Sequence, residues 1–497
     1  MQMSQDYFFN PHKPFDEKAG IFAHHHGSAV QRTVTLDNYQ NYIDNELDLV
    51  EEMGYQHIET PFTHVDDYNS EFVTVVQYLV DKALERGISV MVIAQGSQNN
   101  ALTEAEIKVD SERYLRIMTE FVIRNAGKGI IYEGINEPDS SDWYGQNNMD
   151  GYRKAIEWDN KLKTVVKQYD PTATFVEAVL NPVYGVPLIK EGLIDSGAYA
   201  CHSYTKNIGT KGNNVPENQL LNPLETCSYD GDKFAMTEFG FAAEHAGNDQ
   251  ENNWQGLVSQ DEAAALTVRQ MIIHDALGAP MMYNFILGYL YVFKQYQYFD
   301  LNKNITPTGT AVKNVLKELK SYYFDSWIWA DVGEHRSFIA KYVKDDGTAK
   351  YAYWNADGES ADITVGTNTL HAISAPQFTI VNLEASVNTL VVQTPVGLST
   401  IDVKHLPVNQ SVPLQLPYVK GYQHNEVNAT LDGTGKLTLE GDIIYRKVDE
   451  SGLKVQAKKL NGSFKNLKLK SPDGSIWQAS ISADGKLSWI KNYGDQL

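Results

Sequence analysis

The sequence predicts a closed (β/α)8 barrel, a TIM barrel of the α/β class, followed by an all-β C-terminal region. From about residue 18 to residue 324, eight short runs of β-branched and aromatic residues alternate with longer amphipathic segments. This alternation is typical of βαβ units in a parallel sheet. Past Trp327 the pattern changes to short alternating segments separated by tight-turn dipeptides. Eight alternations favour a closed barrel over an open sheet.

The eight predicted strands follow in order along the chain. They are GIFAHHH at 20–26, YQHIETPF at 55–62, ISVMVIAQ at 88–95, GIIYEGIN at 129–136, TFVEAVL at 174–180, GAYACHSY at 197–204, KFAMTEFG at 233–240 and APMMYNFI at 279–286. Amphipathic segments such as LDNYQNYIDNELDLVEEMGY lie between them, and several end on the glycine that commonly follows a helix. The stretch 205–232 is rich in Asn, Gly and Pro and has no clear helical pattern. We therefore expect an irregular unit after the sixth strand.

Asp-Gly and Asn-Gly dipeptides punctuate the region after Trp327. They lie at 346–347, 357–358, 432–433, 461–462, 473–474 and 484–485. Such pairs supply the positive φ of tight hairpin turns, so antiparallel sheets are expected. We predict the barrel over residues 1–324, a β-sandwich over 325–395 and a further small β-rich module over 396–497. A single domain over both β regions is the alternative.

Charge and cysteine content exclude several classes of partner. The 42 Lys and Arg residues face 63 Asp and Glu residues, and the net charge of -21 repels nucleic-acid phosphates and anionic membranes. We expect no nucleic-acid partner. Neither a signal-peptide pattern nor an apolar run of about 18 residues is visible, so membrane insertion is not expected. Cys201 and Cys227 form no disulfide framework or zinc motif; two free thiols are favoured, and one bridge between them is the alternative.

Polar residues follow the predicted strands at their C-terminal ends. Functional residues of a (β/α)8 barrel come from these ends. The candidates are His24, His25 and His26 after the first strand, Glu59 after the second, Gln95 after the third, Asn136 and Glu137 after the fourth, His202 and Tyr204 after the sixth, Glu238 after the seventh, and Tyr283 and Asn284 after the eighth. The sequence therefore predicts a functional site at this end of the barrel.

Glu137 and Glu238 each close an apolar strand with a carboxylate. The ends of strands four and seven face each other across the mouth of an eight-strand barrel, so these side chains are expected to converge. Paired carboxylates suit glycoside cleavage: one donates a proton to the leaving oxygen, and the other, ionised, meets the cationic sugar carbon. For either glutamate alone, a solvated surface carboxylate is the alternative. Their positions on two facing strands favour the paired interpretation.

The motifs GINEP after the fourth strand and TEFG closing the seventh resemble the acid/base and nucleophile signatures of one large clan. That clan is the (β/α)8 retaining glycoside hydrolases, which include many β-glycanases, mannanases, xylosidases and β-glucosidases. The resemblance covers roughly residues 18–324 and extends to the β-sandwich often appended in the clan. It implies Glu137 as general acid/base, Glu238 as nucleophile and Asn136 as a hydrogen-bond donor to the sugar 2-hydroxyl. It also implies an oligo- or polysaccharide substrate and no cofactor.

The segment CHSYT resembles the clan's sixth-strand His-x-Tyr, in which the tyrosine hydroxyl hydrogen-bonds the nucleophile. The resemblance implies this role for Tyr204. On an extended strand His202 and Tyr204 point to one face, while Cys201 and Ser203 point to the other. We therefore expect His202 and Tyr204 toward the barrel mouth and Cys201 toward the helix layer.

Two positions depart from the clan's pattern. Glu59 stands where many members have an arginine close to the nucleophile, and Tyr283, Asn284 and Phe285 stand where a tryptophan often floors the sugar subsite. An acid at position 59 raises the pKa of the nucleophile unless it pairs with a base or binds a substrate amine or hydroxyl. The sugar and the linkage are therefore left undefined.

Histidines and aromatic residues near the strand ends are further candidates for sugar contact. His24 and His26 share a face; a zinc site there lacks a third ligand, so subsite hydrogen bonding or plain packing is favoured. Trp143 and the stretch YLYVFKQYQYF at 289–299 suit stacking on sugar rings, with core packing as the alternative.

A second class of function stays open on sequence grounds. The C-terminal segment SPDGSIWQASISADGKLSW resembles β-hairpins near the ends of bacteriophage tail and baseplate proteins. A carbohydrate-binding or phage tail-associated structural protein on an inactive barrel is thus the alternative, although both glutamates are intact. Transglycosylation uses the same residues with a sugar acceptor. The substrate class favours an extracellular, cell-wall-associated or virion-borne location.

Overall fold

The computed structural model describes a defined set of residues of the 497-residue chain. They are 4–23, 37–62, 70–94, 104–138, 148–179, 182–195, 198–205, 215–221, 234–244, 255–288, 294–300, 302–330, 336–365, 367–383, 389–394, 397–402, 409–415, 422–423, 426–431, 437–440, 446–447, 454–456, 459–460, 467–470, 476–481 and 487–492.

A closed barrel of eight parallel strands occupies the N-terminal part of the chain. Its strands are β1 (Ala19–Phe22), β2 (His57–Pro61), β3 (Ser89–Ile93), β4 (Ile131–Glu133), β5 (Thr174–Val179), β6 (Tyr199–His202), β7 (Phe234–Phe239) and β8 (Met282–Asn284). The strands pair in chain order, and β8 pairs back with β1 so that Ile21 lies opposite Asn284. All eight predicted strands and the predicted barrel are confirmed.

Helices alternate with the strands, as the amphipathic segments predict. They are α1 (Gln5–Phe8), α2 (Phe15–Lys18), α3 (Tyr39–Met53), α4 (Ser70–Glu85), α5 (Glu104–Asn125), α6 (Met149–Tyr169), α7 (Pro182–Lys190), α8 (Asn218–Leu221), α9 (Gln260–Ala276) and α10 (Pro307–Glu318), with a 3-10 turn at Lys294–Tyr296. Gly54 ends α3 at φ 87°, which a residue with a side chain rarely adopts. Between β6 and β7 the described residues 215–221 contain the four-residue helix α8.

Two apolar layers hold the barrel together. The outward faces of the strands pack against the helices, as Ile58 does on β2 and Cys201 on β6. Inside the barrel, residues from six strands or their leading residues pack against the N-terminal segment: Met91, Ile131, Val176, Ala198, Ala200, Ala235, Met281 and Tyr283 with Phe8 and Phe9. Because Ala198 and Met281 precede their strands, Phe8 and Phe9 close the barrel at the end where the strands begin. The site predicted at the strand ends lies at the opposite mouth.

An all-β region follows the barrel, as predicted. Its first sheet has the order β14 (Gln377–Thr379), β11 (Ala349–Asn355), β10 (Ser337–Val343) and β9 (Tyr323–Ala330), and β12 (Ala361–Val365) pairs with β13 (Asn368–Ala372). Apolar residues of both groups form one core, among them Ile339, Tyr351, Ile363 and Leu370.

A buried ion pair joins the barrel to this β region. Arg269 of α9 donates from Nε and Nη2 to the two carboxylate oxygens of Glu217, at 2.7 and 2.6 Å. Trp354 of β11 donates from Nε1 to the same carboxylate at 2.8 Å, and Arg269 Nη1 donates to Ser374 Oγ at 3.1 Å. Both charged residues belong to the barrel and are almost fully buried, so their hydrogen bonds to Trp354 and Ser374 form part of the buried contact between the barrel and the β region.

Further strands follow in the C-terminal part. They are β15 (Thr389–Thr394), β16 (Gly397–Asp402), β17 (Ser411–Gln415), β18 (Tyr422–Gln423), β19 (Glu426–Leu431), β20 (Leu437–Glu440), β21 (Arg446–Lys447), β22 (Lys454–Gln456), β23 (Lys459–Leu460), β24 (Leu467–Lys470), β25 (Ile476–Ile481) and β26 (Leu487–Asn492). Strands β15 and β16 pair across the proposed boundary at 396, which stays a prediction. Within the described residues, no helix has the length and apolar character that crossing a membrane requires.

Candidate active site

Glu137 lies in the loop that follows β4, and its backbone is held in an unusual conformation. Its φ is 45°, in the left-handed region that residues with a side chain rarely adopt. Such a conformation costs about 1–3 kcal/mol and persists only where its surroundings enforce it. The side chain is 45 % exposed, so the carboxylate reaches the open mouth of the barrel.

The turn before Glu137 is fixed by helix α6. Asp159 is fully buried, and its Oδ1 accepts a hydrogen bond from the backbone N–H of Ile135 at 2.9 Å. Gly134 makes this close approach feasible, because a Cβ on that residue would lie 1.8 Å from Asp159 Oδ1. The strand-to-loop turn that carries Asn136 and Glu137 is therefore anchored from behind.

Glu238 lies near the end of β7, within hydrogen-bonding contact of Tyr204. The tyrosine hydroxyl donates to Glu238 Oε1, and the Glu238 side chain is 13 % exposed. Burial raises the pKa of Glu238 and the nearby Glu137 charge adds to this, while the charge of His202 and the hydrogen bond from Tyr204 oppose it. Burial and the Glu238 carboxylate likewise raise the pKa of Tyr204, so its hydroxyl remains a donor.

His202 connects the two glutamates. Its Nδ1 lies 3.0 Å from Glu137 Oε1 and 3.7 Å from Glu238 Oε2. Burial alone would lower the pKa of His202, but the charge of Glu238 and the contact with Glu137 outweigh it and raise the pKa to about 9. A cationic imidazole therefore stands between two acids at neutral pH. The structure thus brings Glu137, His202, Tyr204 and Glu238 together.

A second pair of acids lies inside the barrel beneath Glu238. Glu59 and Glu133 are both fully buried, and Thr237 Oγ1 donates to Glu133 Oε1 at 3.2 Å. Burial and the neighbouring Glu133 raise the pKa of Glu59 well above its ordinary value. Burial also raises the pKa of Glu133, to about 7, against the lowering effect of the His202 charge. Sequence analysis missed Glu133; an acid at the end of the apolar run IIYE was the signal for it.

A buried polar network holds strand β6 from behind. Ser203 Oγ lies 2.7 Å from His274 Nε2, Gln270 Nε2 donates to Ser203 Oγ at 3.2 Å, and Gln219 Oε1 lies 3.1 Å from His274 Nε2. Burial lowers the pKa of His274 to about 3, so this imidazole is neutral. Ser203 thus points away from the site, as predicted, while His202 and Tyr204 point into it. This network was not predicted from the sequence, because its residues meet only in the folded barrel. They are His274, Gln270 and Gln219, which all contact Ser203.

Other predicted site residues lie in different surroundings. Glu59, Tyr283 and Asn284 are all fully buried, and Asn284 Oδ1 accepts a hydrogen bond from Tyr55 at 2.8 Å. Asn136 is half-buried next to Glu137. His24, His25, His26, Gln95 and Trp143 lie outside the described residues. Sugar contact by any of these residues stays a prediction.

An aromatic wall lines the site beside Tyr204. Phe22, Phe285 and Tyr296 belong to one apolar cluster, and the Tyr204 and Tyr296 rings meet edge to face with centroids 6.1 Å apart. The Tyr296 hydroxyl donates to Gln255 Oε1 at 2.9 Å. Tyr296 belongs to the aromatic stretch singled out in the sequence, and the described part of that stretch is largely buried. Among the described residues, no group of three or more His, Cys, Asp or Glu side chains is placed to hold a metal ion.

Comparisons with known proteins place glycoside hydrolases among the structural neighbours. No family model and no curated protein sequence matches the chain. A family 39 glycoside hydrolase from Bacteroides cellulosilyticus WH2 is 15% identical, with 76% of this chain and 82% of that chain covered and a TM-score of 0.49. A β-glucanase from Saccharophagus degradans is 15% identical (60% and 87% covered, TM-score 0.44), and a β-xylosidase from Caulobacter crescentus CB15 is 12% identical (71% and 80% covered, TM-score 0.44). At these values the likeness does not assign a function, which depends on the site itself.

Proposed function

We propose that the protein is a retaining glycoside hydrolase that cleaves β-glycosidic bonds in an oligo- or polysaccharide. One observation carries the proposal: Glu137 after β4 and Glu238 on β7 both lie against the same nitrogen, His202 Nδ1, at 3.0 and 3.7 Å. The distance between Glu137 Oε1 and Glu238 Oε2 therefore cannot exceed the sum of these two distances. This range includes the separation of about 5–5.5 Å between carboxyl groups that is typical of retaining enzymes.

The first half-reaction uses the two glutamates in different protonation states. The Glu238 carboxylate attacks the anomeric carbon, and the bond from that carbon to the leaving oxygen breaks. Glu137 donates its proton to the leaving oxygen, so the aglycone departs as a neutral alcohol. The product is a glycosyl ester on Glu238, with a carboxylate left on Glu137.

The second half-reaction reverses these roles. Glu137, now a carboxylate, takes a proton from a water molecule as its oxygen attacks the anomeric carbon, and the ester bond to Glu238 breaks. Formation of the ester removes the Glu238 charge, so the repulsion that favours a proton on Glu137 disappears during the intermediate. The sugar leaves with its original anomeric configuration, and both glutamates return to their starting states.

His202 and Tyr204 prepare Glu238 for this chemistry. A cationic His202 stabilises the carboxylate form of Glu238, and the Tyr204 hydroxyl fixes the orientation of Glu238 through its hydrogen bond. Burial of Glu238 would otherwise favour the protonated carboxyl, which is not nucleophilic. These two contacts therefore oppose the effect of burial on the pKa of Glu238 and favour its nucleophilic carboxylate form.

The test measures reducing-sugar release from β-glucans, mannans, xylans and bacterial exopolysaccharides. The wild-type chain is expected to cleave one class, Glu238→Gln to lose nearly all activity, and Glu137→Gln to lose about 10²–10⁴-fold in kcat/KM. Glu244→Gln is the matched control, because Glu244 is an exposed acid six residues after Glu238. Proton NMR of the first product is expected to show the β-anomer.

Two outcomes would overturn the proposal. Release of the α-anomer first would replace the retaining mechanism with an inverting one. Binding of a glycan by wild type and by both variants, without cleavage by any, would favour the carbohydrate-binding alternative.

A further inference from the structure

Three acids of β2, β4 and β7 point into the barrel: Glu59, Glu133 and Glu238. Glu59 lies opposite Met91 of β3, and Glu133 lies two residues after Ile131 on β4; since Met91 and Ile131 pack inside the barrel, the strand register turns both acids to the interior on either side of β3. Glu59 and Glu133 are fully buried, whereas Glu238 reaches the site. Of the Lys, Arg and His side chains in the described part of the chain, none forms an ion pair with Glu59 or Glu133. Two buried carboxyl groups thus face each other without a described counter-ion.

The surroundings of the pair offer few hydrogen-bond donors. Thr237 supplies one donor, to Glu133 Oε1 at 3.2 Å. Tyr283 of β8 is close enough for both acids to affect its titration, and His202 of β6 acts on Glu133 only through space. Both carboxyl oxygens of Glu59 and Oε2 of Glu133 are buried without a hydrogen-bond partner among the described residues. A hydrogen bond between the two carboxyl groups would give each acid a partner, and it needs a proton on one of them.

Simple electrostatics decides the number of protons. Two adjacent carboxylates in a low-dielectric interior repel each other, and each one separately resists ionisation when it is buried. If the pair keeps one proton, the repulsion is replaced by a hydrogen bond from the protonated carboxyl group to the carboxylate. Such a charge-assisted hydrogen bond is stronger than one between two neutral groups. With two protons the pair would lose the charge that attracts the His202 cation.

We propose that Glu59 and Glu133 form a carboxyl–carboxylate pair that holds one proton on Glu59 and positions Glu133, His202 and Glu238 for the reaction. The proposal on catalysis rests on the proposed glycosidase function; the protonated pair itself does not. Glu59 and Glu133 are positioning residues, since both are buried below the substrate cleft. With one proton on Glu59, the three acids Glu59, Glu133 and Glu238 carry two negative charges instead of three. The cation His202 lies 3.7 Å from Glu238 and also acts on Glu133.

The pair also defines a pH response. Glu133 is faced by Glu59 from β2, His202 from β6, Thr237 and Glu238 from β7, and Tyr283 from β8. Below a pH of about 7 Glu133 gains a proton, and the interior becomes less negative around His202. Loss of the Glu59 proton at high pH has the opposite effect and raises the negative charge beside Glu238.

Infrared spectroscopy of the full-length chain tests the proton directly. At a pH between the pKa of Glu133, about 7, and that of His202, about 9, wild type is expected to show the C=O stretching band of a buried protonated carboxylic acid, and Glu59→Gln to lose it. Glu133→Gln is expected to keep the band, because Glu59 can still donate to the glutamine oxygen. Glu191→Gln is the control: Glu191 is an exposed acid paired with Arg153, and its hydrogen bond with Arg153 lowers its pKa, so it contributes no such band.

Kinetics tests the positioning role. Glutamine replaces a protonated glutamic acid with a donor of the same shape, so Glu59→Gln is expected to retain kcat within about threefold. Glu59→Leu removes the donor and is expected to lower kcat about 10- to 100-fold with little change in KM. Thermal unfolding of both variants separates this effect from misfolding.

Two results would overturn the inference. If wild type shows no such band, Glu59 carries no proton. If the band disappears in Glu133→Gln and remains in Glu59→Gln, the proton is not on Glu59. Equal kcat values for Glu59→Gln and Glu59→Leu would remove the positioning role. Since the infrared readout needs no substrate, failure to cleave any glycan would overturn the proposed function while the band still decides the pair.

Discussion

His202 is the residue on which both glutamates of the site depend. Its Nδ1 contacts Glu137 and lies within electrostatic reach of Glu238, so one imidazolium charge stabilises two acids. Because the pKa of His202 is raised to about 9 by these neighbours, the cation is present across neutral pH and disappears as the pH rises through about 9. His202 therefore carries its positive charge at acidic and neutral pH and loses it at alkaline pH.

Replacing His202 by glutamine tests this dependence. His202→Gln keeps a hydrogen-bond donor but removes the cation, so kcat/KM at neutral pH is expected to fall about 10- to 100-fold. In wild type, kcat/KM is expected to decline as the pH rises through about 9, and this alkaline decline is expected to be absent in the variant. The measurement is kcat/KM against pH for both proteins on the cleaved glycan. The same alkaline decline in His202→Gln would assign it to another group.

The sequence predicts the positions of some residues of the site better than those of others. Glu137 and Glu238 could be placed at one mouth because an acid that ends an apolar strand is visible in the sequence, and their roles stay predictions. Glu59 follows the same pattern but is fully buried. The difference arises because the depth of a strand-end side chain depends on barrel tilt and on the neighbouring strands, neither of which a single sequence displays.

At the scale of the secondary-structure element, the turn after β4 sets the position of the proposed acid/base. Gly134 packs directly against Asp159, with no room for a side chain between them. The buried Asp159 carboxylate accepts a hydrogen bond from the backbone of Ile135 and so links this turn to helix α6. The positive φ of Glu137 then follows within three residues. A residue in this strained conformation is held by its surroundings, so the turn and the helix act together.

Adding one methyl group at Gly134 is expected to disturb this turn. Gly134→Ala places a Cβ 1.8 Å from Asp159 Oδ1, so the turn or the helix must shift. We expect a loss of about 1–3 kcal/mol in the free energy of unfolding and a fall in kcat with KM little changed. Denaturant unfolding and steady-state kinetics measure the two effects.

Gly54→Ala is the control for the turn. Gly54 differs from Gly134 in its constraint: it has a φ of 87°, which a residue with a side chain rarely adopts, but a Cβ there meets no atom within 4 Å. It precedes β2 and therefore lies at the barrel end opposite the site. Stability is expected to fall in this variant while kcat stays at the wild-type value. A Gly134→Ala variant with wild-type kcat would show that the turn does not position Glu137.

Element existence was easier to predict than element contacts. Eight strands follow from local runs such as ISVMVIAQ, because strand propensity and period are local properties. The network of Ser203, Gln270 and His274 joins residues far apart in the chain, and only the closed barrel brings them together. Boundaries in the C-terminal region depend on such contacts as well, and the β15–β16 pair lies across the proposed boundary at 396.

At the scale of the whole molecule, a buried ion pair of the barrel contacts the β region. Arg269 and Glu217 are 1% and 3% exposed at their side chains, and Trp354 of the β region completes the hydrogen bonds of the carboxylate. Arg269 also lies on helix α9 next to Gln270, which contacts Ser203 behind the site. The β region thus contacts the helix that supports strand β6.

Removing one partner of this pair is expected to destabilise the molecule strongly. Arg269→Gln leaves Glu217 as a buried charge without its cation, at an expected cost of about 3–5 kcal/mol in the free energy of unfolding. Arg153→Gln is the matched control: Arg153 makes the same two-pronged contact with Glu191, at 2.6 and 3.0 Å, but on the exposed surface of α6. Its unfolding midpoint is expected to match wild type, because solvent-exposed ion pairs contribute little. Denaturant unfolding of both variants is followed by tryptophan fluorescence, to which both parts contribute through residues such as Trp158 of the barrel and Trp354 of the β region, and by activity, which reports on the barrel. In Arg269→Gln, one transition with the same lowered midpoint in both signals would support coupling through Arg269. A fluorescence transition that precedes the loss of activity would show that the barrel stays folded without this contact.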